Sequence, residues 1–476
     1  MKESERQSCT YCGHPPGGHM NGCPTQNEMV GEMRDLVWAE TGRALTDGDF
    51  STTGAEPSVP AELLRPVIAR GDGMDGTAIT IREIPTMGKA AFVERPVTVD
   101  GVAYRFVQWK GVGANFANDR MAGAVSYPLG QRGMAPLFRM DAFGKRILRF
   151  KGGAFYEDLL HEARKSEEFA SYRLRMPRIL ATIKFTRSFC ERNGLPLPDN
   201  DDPNDAGGQT LGAFVESRRD EIDAEEYDAI QSADELSAGY ASAILGENVR
   251  AFRNVWRVDD LERVMQEPGS PERTEKLATI VDASARIFSE EVGRDLSREE
   301  FLQEYVVMLG KQAAILIENR LNQGALLNIK QDVTLAAEIC DFDNGYQLND
   351  AYLNDEANAP NWVTDRVTRA EWEREQNVRV DRQILLLAAH IKPLADAIGE
   401  LRGGPLDRSR IIDAFMGTVR EGLSDPSRRD MARRIAETPD FGSVDAIAGT
   451  DALTKTNLDG CQEWFDRIIE IVASWT

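Results

Sequence analysis

The sequence lacks any apolar run that approaches the roughly 20 residues a transmembrane helix needs. Its first residues, Met1-Lys2-Glu3-Ser4-Glu5-Arg6, also lack the apolar stretch that signal peptides carry. Both absences argue against a membrane as a partner. The sequence therefore predicts a cytoplasmic protein.

Positive charge is scarce relative to negative charge. The chain has 56 Lys and Arg against 78 Asp and Glu, which gives a formal net charge of −22. This excess excludes a broad surface for nucleic acid or anionic lipid, although a local basic site is compatible with it. The hydrophobic content of 42% is typical of a globular protein, and 476 residues exceed what one ordinary core supports. We therefore expect two or three lobes.

Cysteine is also rare, and its six copies are unevenly placed. Three of them, Cys190, Cys340 and Cys461, are isolated from one another in the sequence. Such spacing is not typical of a disulfide framework. We predict that these three are buried thiols.

The other three cysteines lie together at the N-terminus, beside two histidines. Two thiolates separated by two residues, followed by a Gly/Pro-rich loop with a histidine and a third thiolate, can complete a tetrahedral Zn²⁺ site. His14 competes with His19 for the third position, and a disordered thiol-bearing tail is the alternative. A zinc-knuckle-like segment over residues 1–26 would bind either single-stranded nucleic acid or a protein partner. The predicted Zn²⁺ ligands are Cys9, Cys12, His19 and Cys23.

Helical spacing of apolar residues near 27–45 predicts a short helix.

A glycine turn follows further along the chain, where Gly71 and Gly73 precede a β-branched, strand-like segment. Glycines at such a position let backbone N–H groups approach a phosphate, although the same turn is common in hairpins. Residues 114–142 show no periodicity and predict a long loop.

A hairpin signal at Asp100-Gly101 divides residues 89–110 into two strands. Period-two alternation places Phe106, Gln108 and Lys110 on one face of the second strand. Lys110 is either a solvated edge residue or a lysine that contacts phosphate. The following segment, Ala154–Arg173, is predicted as a helix.

A glutamate on that predicted helix, which carries Glu157, Glu162, Glu167 and Glu168, could meet Lys110, as the lysine–glutamate pair does in kinases. His161 on the same helix is interpreted as structural. Further along, Arg250 and Arg257 lie in a strongly apolar context. Buried arginines keep their charge, so they usually pair with a carboxylate or a phosphate.

Two aspartates flank one phenylalanine in Asp341-Phe342-Asp343, directly after the apolar residues Leu335-Ala336-Ala337. We interpret the apolar residues as a buried strand and the aspartates as its end. Carboxylates at such an end can hold a phosphate-bound Mg²⁺, because hard cations need oxygen ligands in fixed positions. The alternative is a strand followed by an acidic surface turn.

The order of these motifs resembles the selenoprotein O family, whose protein-kinase-like members transfer AMP rather than phosphate. The resemblance covers roughly residues 65–350 and depends on the order and spacing of short motifs. The matching residues are Lys110-Gly111-Val112-Gly113, Leu148-Arg149, Glu162 with Ser166-Glu167, Arg250 with Arg257 and Glu262, Gln331-Asp332, and Asp341-Phe342-Asp343.

The resemblance implies an α+β, kinase-like bilobal fold with a β-rich N-lobe at 60–195 and an α-rich C-lobe at 246–476. An acidic helical insertion would occupy 196–245. The implied cofactors are ATP and Mg²⁺, and the implied reaction is AMP transfer to hydroxyl side chains of a protein. The implied roles are nucleotide binding for Gly71, Gly73, Lys110, Arg250 and Arg257, catalysis for Lys110, Glu162 and Asp343, and Mg²⁺ binding for Asp332 and Asp341.

The chain departs from the family pattern at the position of its catalytic aspartate, which is Gln331 here. An amide cannot accept a proton, so Asp343 is the candidate base. Two other functions stay open. One is a kinase-like phosphotransferase acting on a protein or small molecule, and the other is an ATP-binding pseudokinase scaffold without transfer activity.

Overall fold

The computed structural model of the chain divides into two compact units. The first comprises Met1–Arg164 and Arg178–Phe252, and the second comprises Lys165–Pro177 and Arg253–Thr476. The residues that the structure describes are 33–37, 47–66, 76–83, 90–111, 125–126, 136–140, 146–150, 154–217, 219–221, 242–324, 332–342, 345–355, 369–438, 441–448, 455 and 458–475.

The first unit is built on an antiparallel eight-stranded sheet in which neighbouring strands follow the order β1-β3-β4-β5-β11-β10-β2, with β9 paired to β11. A second sheet has the order β6-β7-β8. The strands are β1 Met33–Val37, β2 Phe50–Thr53, β3 Gly76–Glu83, β4 Ala90–Val99, β5 Val102–Lys110, β6 Val125–Ser126, β7 Pro136–Met140, β8 Arg146–Phe150, β9 Ala154–Phe155, β10 Arg178–Phe185 and β11 Leu245–Phe252.

Apolar residues alternate along β5, β10 and β11, so one face of the sheet is packed into a core. Val107 and Trp109 on β5 contribute to this core together with Val249 and Ala251 on β11. The opposite face carries polar residues of the same strands, which are described with the candidate site. The helical segments of this unit and its boundary are α1 Tyr156–Ala170, α2 Arg187–Asn193, α3 Leu211–Ser217, and the 3-10 turns Ala61–Leu64 and Arg219–Glu221.

The second unit is mainly helical. Its helices are α4 Val258–Gln266, α5 Pro271–Val292, α6 Arg298–Glu318, α7 Asp350–Asn354, α8 Arg369–Arg402, α9 Arg408–Gly422, α10 Asp425–Glu437, α11 Val444–Ala448 and α12 Gln462–Ala473, and its short strands β12 Leu321–Asn322 and β13 Tyr346–Gln347 pair with each other. The middle of α8 is buried on nearly all sides, which explains its continuous apolar run Ile384–Ala389.

Local sequence signals set several helix boundaries in this unit. Ser297 accepts a hydrogen bond from the Glu300 backbone N–H, and the Glu300 carboxylate accepts one from the Ser297 backbone N–H. Such a capping box satisfies two N–H groups that the helix itself leaves unpaired. Gly293 ends α5 in the left-handed conformation, with φ of 73°, which glycine adopts without steric cost.

The structure confirms the α+β class and the buried state of Cys190, Cys340 and Cys461. It corrects two local predictions. The short helix expected near 27–45 is wrong at 33–37, where β1 pairs with β3. The long loop expected at 114–142 contains β6 and β7.

Long-range pairing explains both corrections, because a strand is stabilised by a distant partner and the local pattern shows only its own side chains. In addition, β11 pairs with β5 and β10, so residues 246–252 belong to the sheet of the first unit rather than to the helical unit. Among the described helices, none is long and apolar enough to cross a membrane.

Candidate functional site

Lys110 and Glu162 form an ion pair in the first unit, which is the contact that the resemblance implied. The Lys110 Nζ and Glu162 Oε2 atoms are 3.1 Å apart. Lys110 ends β5, and Glu162 lies on the inner side of α1, where its side chain is 3% exposed against 26% for Lys110. The lysine ammonium is therefore the part of this pair that solvent reaches.

The carboxylate of Glu162 also holds a second cation. Arg250 Nη1 donates to Glu162 Oε1 at 2.8 Å, and Asn248 Nδ2 donates to Glu162 Oε2 at 2.9 Å. Gln108 Oε1 accepts hydrogen bonds from Arg250 Nε at 3.0 Å and from Arg250 Nη2 at 2.6 Å. The Glu162 carboxylate thus contacts Lys110, Arg250 and Asn248, and Gln108 holds Arg250 from the other side.

The sheet register explains why these side chains meet. Asn248 is opposite Lys110, and Arg250 is opposite Gln108, in the antiparallel pairing of β11 with β5. Directly opposite side chains on one face of a sheet lie about 5 Å apart, which is within contact distance. On β10, which is the other neighbour of β11 in the sheet, the Thr182 hydroxyl donates to Asn248 Oδ1 at 2.8 Å and so orients the amide. The register therefore builds a polar row across β5, β11 and β10.

Lys110 and Arg250 share the Glu162 carboxylate but differ in burial. Arg250 is 4% exposed and Lys110 is 26% exposed, so solvent reaches this cluster at the lysine. The chain turns directly after it at Gly111, whose φ is 112° and whose added Cβ would lie 2.8 Å from the Gly246 carbonyl oxygen. Only glycine fits there. An anion would be favoured at the Lys110 ammonium.

In the second unit, residues 332–342 form a tight antiparallel turn instead of the predicted strand. Val333 and Ile339 form an isolated β-bridge, and the Cys340 N–H donates to the Asp332 carbonyl oxygen at 2.7 Å. Ala337 and Asp341 are left-handed, with φ of 57° and 54°. The apolar residues before Asp341 are buried, as expected, but they make a turn, in which the Ala337 N–H donates to the Thr334 carbonyl oxygen at 2.9 Å. Their other backbone groups bond to neighbouring segments: the Leu335 N–H donates to the Trp256 carbonyl oxygen, and the Ala336 carbonyl oxygen accepts from Arg175 Nε.

Glu338 anchors this turn from the inside. Its carboxylate accepts hydrogen bonds from the backbone N–H groups of Arg253 and Asn254 and from the Arg253 guanidinium at 3.3 Å. Burial raises the pKa of Glu338, while the charges of Arg253 and Arg175 oppose that shift. Glu338 therefore joins the chain at 253–254 to the turn and is a structural residue.

Gln323 holds the far end of the same turn. Its side-chain amide donates to the carbonyl oxygens of Cys340 at 2.5 Å and Asp341 at 2.8 Å. The Gln323 backbone N–H in turn donates to Gln383 Oε1 on α8 at 2.9 Å. The backbone of Asp341 is thus fixed through two buried glutamines.

The two predicted metal ligands, Asp332 and Asp341, act electrostatically on Arg257. Burial alone would lower the pKa of Arg257, but the charges of Cys340, Asp341, Asp332 and Asp260 raise it overall. Its backbone is held at the start of α4, where the Arg257 N–H donates to Asp260 Oδ2 at 2.7 Å. Asp332 and Asp341 therefore each lie near the Arg257 guanidinium, whose charge is opposite to theirs.

The donor set of this turn fits Mg²⁺ bound together with phosphate. Among the residues that the structure describes, no group of three or more His, Cys, Asp and Glu could hold a metal ion by itself. Mg²⁺ at nucleotide sites usually needs only one or two protein carboxylates, because phosphate oxygens and water complete its octahedron. Asp332 and Asp341 could supply those two.

Several predicted site residues lie outside the described part of the chain. They are Gly71, Gly73, Asp343 and the four predicted Zn²⁺ ligands Cys9, Cys12, His19 and Cys23. Their roles stay predictions, and so does the interpretation of Gln331, which also lies outside.

Sequence reasoning gave no role to Gln108, Asn248 or Gln323, although each is fully buried. For Gln108 a signal existed, because it shares a strand face with Lys110 and interrupts an apolar strand. Asn248 and Gln323 carry no comparable local signal, since their partners are distant in the sequence. No protein-family model matches the chain, and no curated protein matches it either.

Proposed function

We propose that the protein is an ATP- and Mg²⁺-dependent transferase with a kinase-like fold, similar to selenoprotein O, that transfers AMP to hydroxyl side chains of a protein. The observation that carries the proposal is the Lys110–Glu162 ion pair, in which the carboxylate is buried and the ammonium is accessible to solvent. A division into a sheet-based and a helical unit is consistent with the β-rich and α-rich lobes that the resemblance implies.

In this proposal Lys110 binds and neutralises a nucleotide phosphate, and Glu162 orients the lysine. Asp332 and Asp341 would hold Mg²⁺, which would offset further phosphate charge. Arg257, which balances the two aspartates, would help to keep their carboxylates in place. In phosphoryl and nucleotidyl transfer, a protein acts mainly by positioning the reactants and by stabilising the charge of the transition state.

The nucleotide's orientation decides the product. With the α-phosphate next to the acceptor hydroxyl, the hydroxyl oxygen bonds to the α-phosphorus and pyrophosphate leaves, so the product is an AMP ester. With the γ-phosphate there, ADP leaves and the product is a phosphate ester. In both cases the hydroxyl proton must be accepted, and Asp343 is the candidate base.

The test uses ATP labelled separately at the α- and γ-phosphates, with Mg²⁺ and the full chain, and follows label on the chain itself and on proteins of a cell extract. We expect α-label incorporation. Incorporation of γ-label alone would contradict AMP transfer and would show that the protein is a kinase.

Lys110→Ala should lower the transfer rate on the order of 100-fold or more, because it removes a preorganised charge from the transition state. Lys165→Ala is the matched control. Lys165 pairs with Glu168 at 3.0 Å and is 23% exposed, close to the 26% of Lys110. Full activity in Lys110→Ala would contradict the assignment.

A pseudokinase scaffold is the second candidate, and it is favoured by Gln331 at the position of the family's catalytic aspartate. It predicts that ATP with Mg²⁺ raises the melting temperature while neither label is transferred. Restoring a carboxylate with Gln331→Asp would then be expected to produce transfer. No thermal shift and no transfer would contradict both candidates.

A further inference from the structure

Residues 198–208 form a closed acidic loop in the first unit. Its ends meet in a β-bridge between Pro198 and Gly208, and the Asp199 N–H donates to the Gly207 carbonyl oxygen at 3.0 Å. Four of its eleven residues are aspartates. Because like charges this close repel one another, a cation inside the loop stabilises its closed form.

Lys184 on β10 supplies that cation. Its side chain is fully buried, and Nζ donates to the carbonyl oxygens of Asp202 at 2.9 Å and Asp205 at 2.7 Å. Burial lowers the pKa of Lys184, while the charges of the aspartates in the loop, Asp205 foremost, oppose that shift. The ammonium therefore holds the acidic loop against β10.

The acidic loop also holds the start of α1, through Tyr156. The hydroxyl of this fully buried tyrosine donates to the Pro203 carbonyl oxygen, and the Lys184 ammonium lies 5.9 Å from the centre of its ring. The ring lies on β11 at Gly246, where an added Cβ would be 2.6 Å from Tyr156 Cδ2. A glycine at this point of the strand lets the ring approach the backbone.

The register of the sheet places Tyr156 in line with the contacts of Glu162. Gly246, under the Tyr156 ring, and Asn248, which donates to Glu162, are two residues apart on β11 and so face the same side of the sheet. Along α1, six residues separate Tyr156 from Glu162, or about 9 Å of helix. A helix held at two such points resists a rotation that either contact alone would allow.

We propose that Tyr156 and Lys184 are positioning residues, which act with the acidic loop to fix α1 and so keep Glu162 next to Lys110. The attachment of α1 follows from the contacts alone. Its consequence for a bound nucleotide rests on the proposed function.

Tyr156→Phe tests the attachment, because it removes one hydroxyl and keeps the ring on Gly246. The amides of α1 should exchange with deuterium about fivefold faster, as expected for the loss of one buried hydrogen bond. Mass spectrometry of the full chain after quenching and digestion measures this rate. Tyr305→Phe is the matched control, since Tyr305 is also fully buried but its hydroxyl has no hydrogen-bond partner among the described residues. The control should leave exchange in α1 within about twofold of the wild type.

Under the proposed function, Tyr156→Phe should also bind ATP with Mg²⁺ about fivefold more weakly by calorimetry. If Tyr156 acts through Glu162, the same change should weaken binding less than about twofold further in a Glu162→Gln background. A merely structural role would give the same loss in both backgrounds, and that result would overturn the positioning role.

Lys184→Met provides a second variant. It removes the ammonium and both of its hydrogen bonds to the acidic loop, so the loop and α1 should exchange at least about fivefold faster. Unchanged exchange in α1 of the folded Tyr156→Phe protein would overturn the inference, whatever happens to ATP binding. Faster exchange in variants of a protein that binds no ATP would keep the attachment of α1 and refute the proposed function.

Discussion

At the scale of single residues, the two candidate clusters bring different charges together. In the first unit, two cations, Lys110 and Arg250, share the carboxylate of Glu162. In the second unit, the charges of Cys340, Asp341, Asp332 and Asp260 act on the guanidinium of Arg257 and raise its pKa.

Asp341 also has an unusual backbone conformation, with φ of 54°. A residue with a Cβ atom costs about 1–2 kcal/mol in this left-handed region relative to glycine. We therefore expect Asp341→Gly to be about 1 kcal/mol more stable than Asp341→Ala by urea unfolding, because both lack the carboxylate and only alanine is strained.

Under the proposed function both of these variants lose Mg²⁺-dependent binding of ATP. Equal free energies of unfolding for the two would contradict the strain at this position. Strain of this kind persists where the surrounding structure holds a residue in place, and here the Gln323 amide does so through the Asp341 carbonyl oxygen.

At the scale of elements, one arginine joins α5 to the 332–342 turn. Arg175 donates to both carboxylate oxygens of Glu291 on α5, at 2.5 Å each, and to the Ala336 carbonyl oxygen at 2.6 Å. The Arg175 carbonyl oxygen accepts from the Ile339 N–H at 2.9 Å. The segment before β10 therefore supports the turn that carries Asp341.

This link predicts a pH dependence of stability. Burial by itself would raise the pKa of Glu291, but the hydrogen bonds and charge of Arg175, with the charge of Arg253, lower it below the ordinary value of 4.5. A carboxyl group with a lowered pKa in the folded state stabilises the fold above its unfolded pKa, and this contribution is lost as the pH falls.

We expect Glu291→Gln to reduce the loss of unfolding free energy between about pH 5 and pH 3, by less than about 1 kcal/mol because Glu291 is partly exposed. Urea unfolding at several pH values measures the slope. Glu275→Gln removes an exposed carboxylate from the same helix and should change the slope less. An unchanged slope in Glu291→Gln would contradict the stabilising role of the pair.

At the scale of the whole molecule, the formal net charge of −22 dominates the electrostatics. Like charges across a surface repel and destabilise the compact state, and salt screens this repulsion with a Debye length of about 10 Å at 0.1 M. Exposed ion pairs such as Arg298–Asp282 are weakened by salt too, but each contributes only about 0–1 kcal/mol.

We therefore expect the melting temperature to rise by a few degrees, roughly 2–4 °C, between 10 mM and 300 mM NaCl at pH 7.5. KCl at the same ionic strength is the control and should give the same rise, because the Debye length depends on ionic strength and not on which monovalent cation is present. A melting temperature that falls with NaCl would show that the ion pairs outweigh the net repulsion.

The sequence by itself determined the α+β class and many of the elements, and the resemblance implied the contact between Lys110 and Glu162. Periodicity and hairpin turns are local signals, so they can be recognised without the tertiary structure. The roles of these residues, the cofactors and the resemblance remain predictions.

Only the tertiary structure decided that Arg250 joins Glu162 and Gln108, and that Asp341 belongs to a turn. Arg250 and Gln108 are 142 residues apart and meet only because β11 pairs with β5 in one register. A shift of that register by one residue would turn Arg250 to the other face of the sheet. Local sequence encodes which residues a strand offers, whereas the pairing of strands determines which charges they meet.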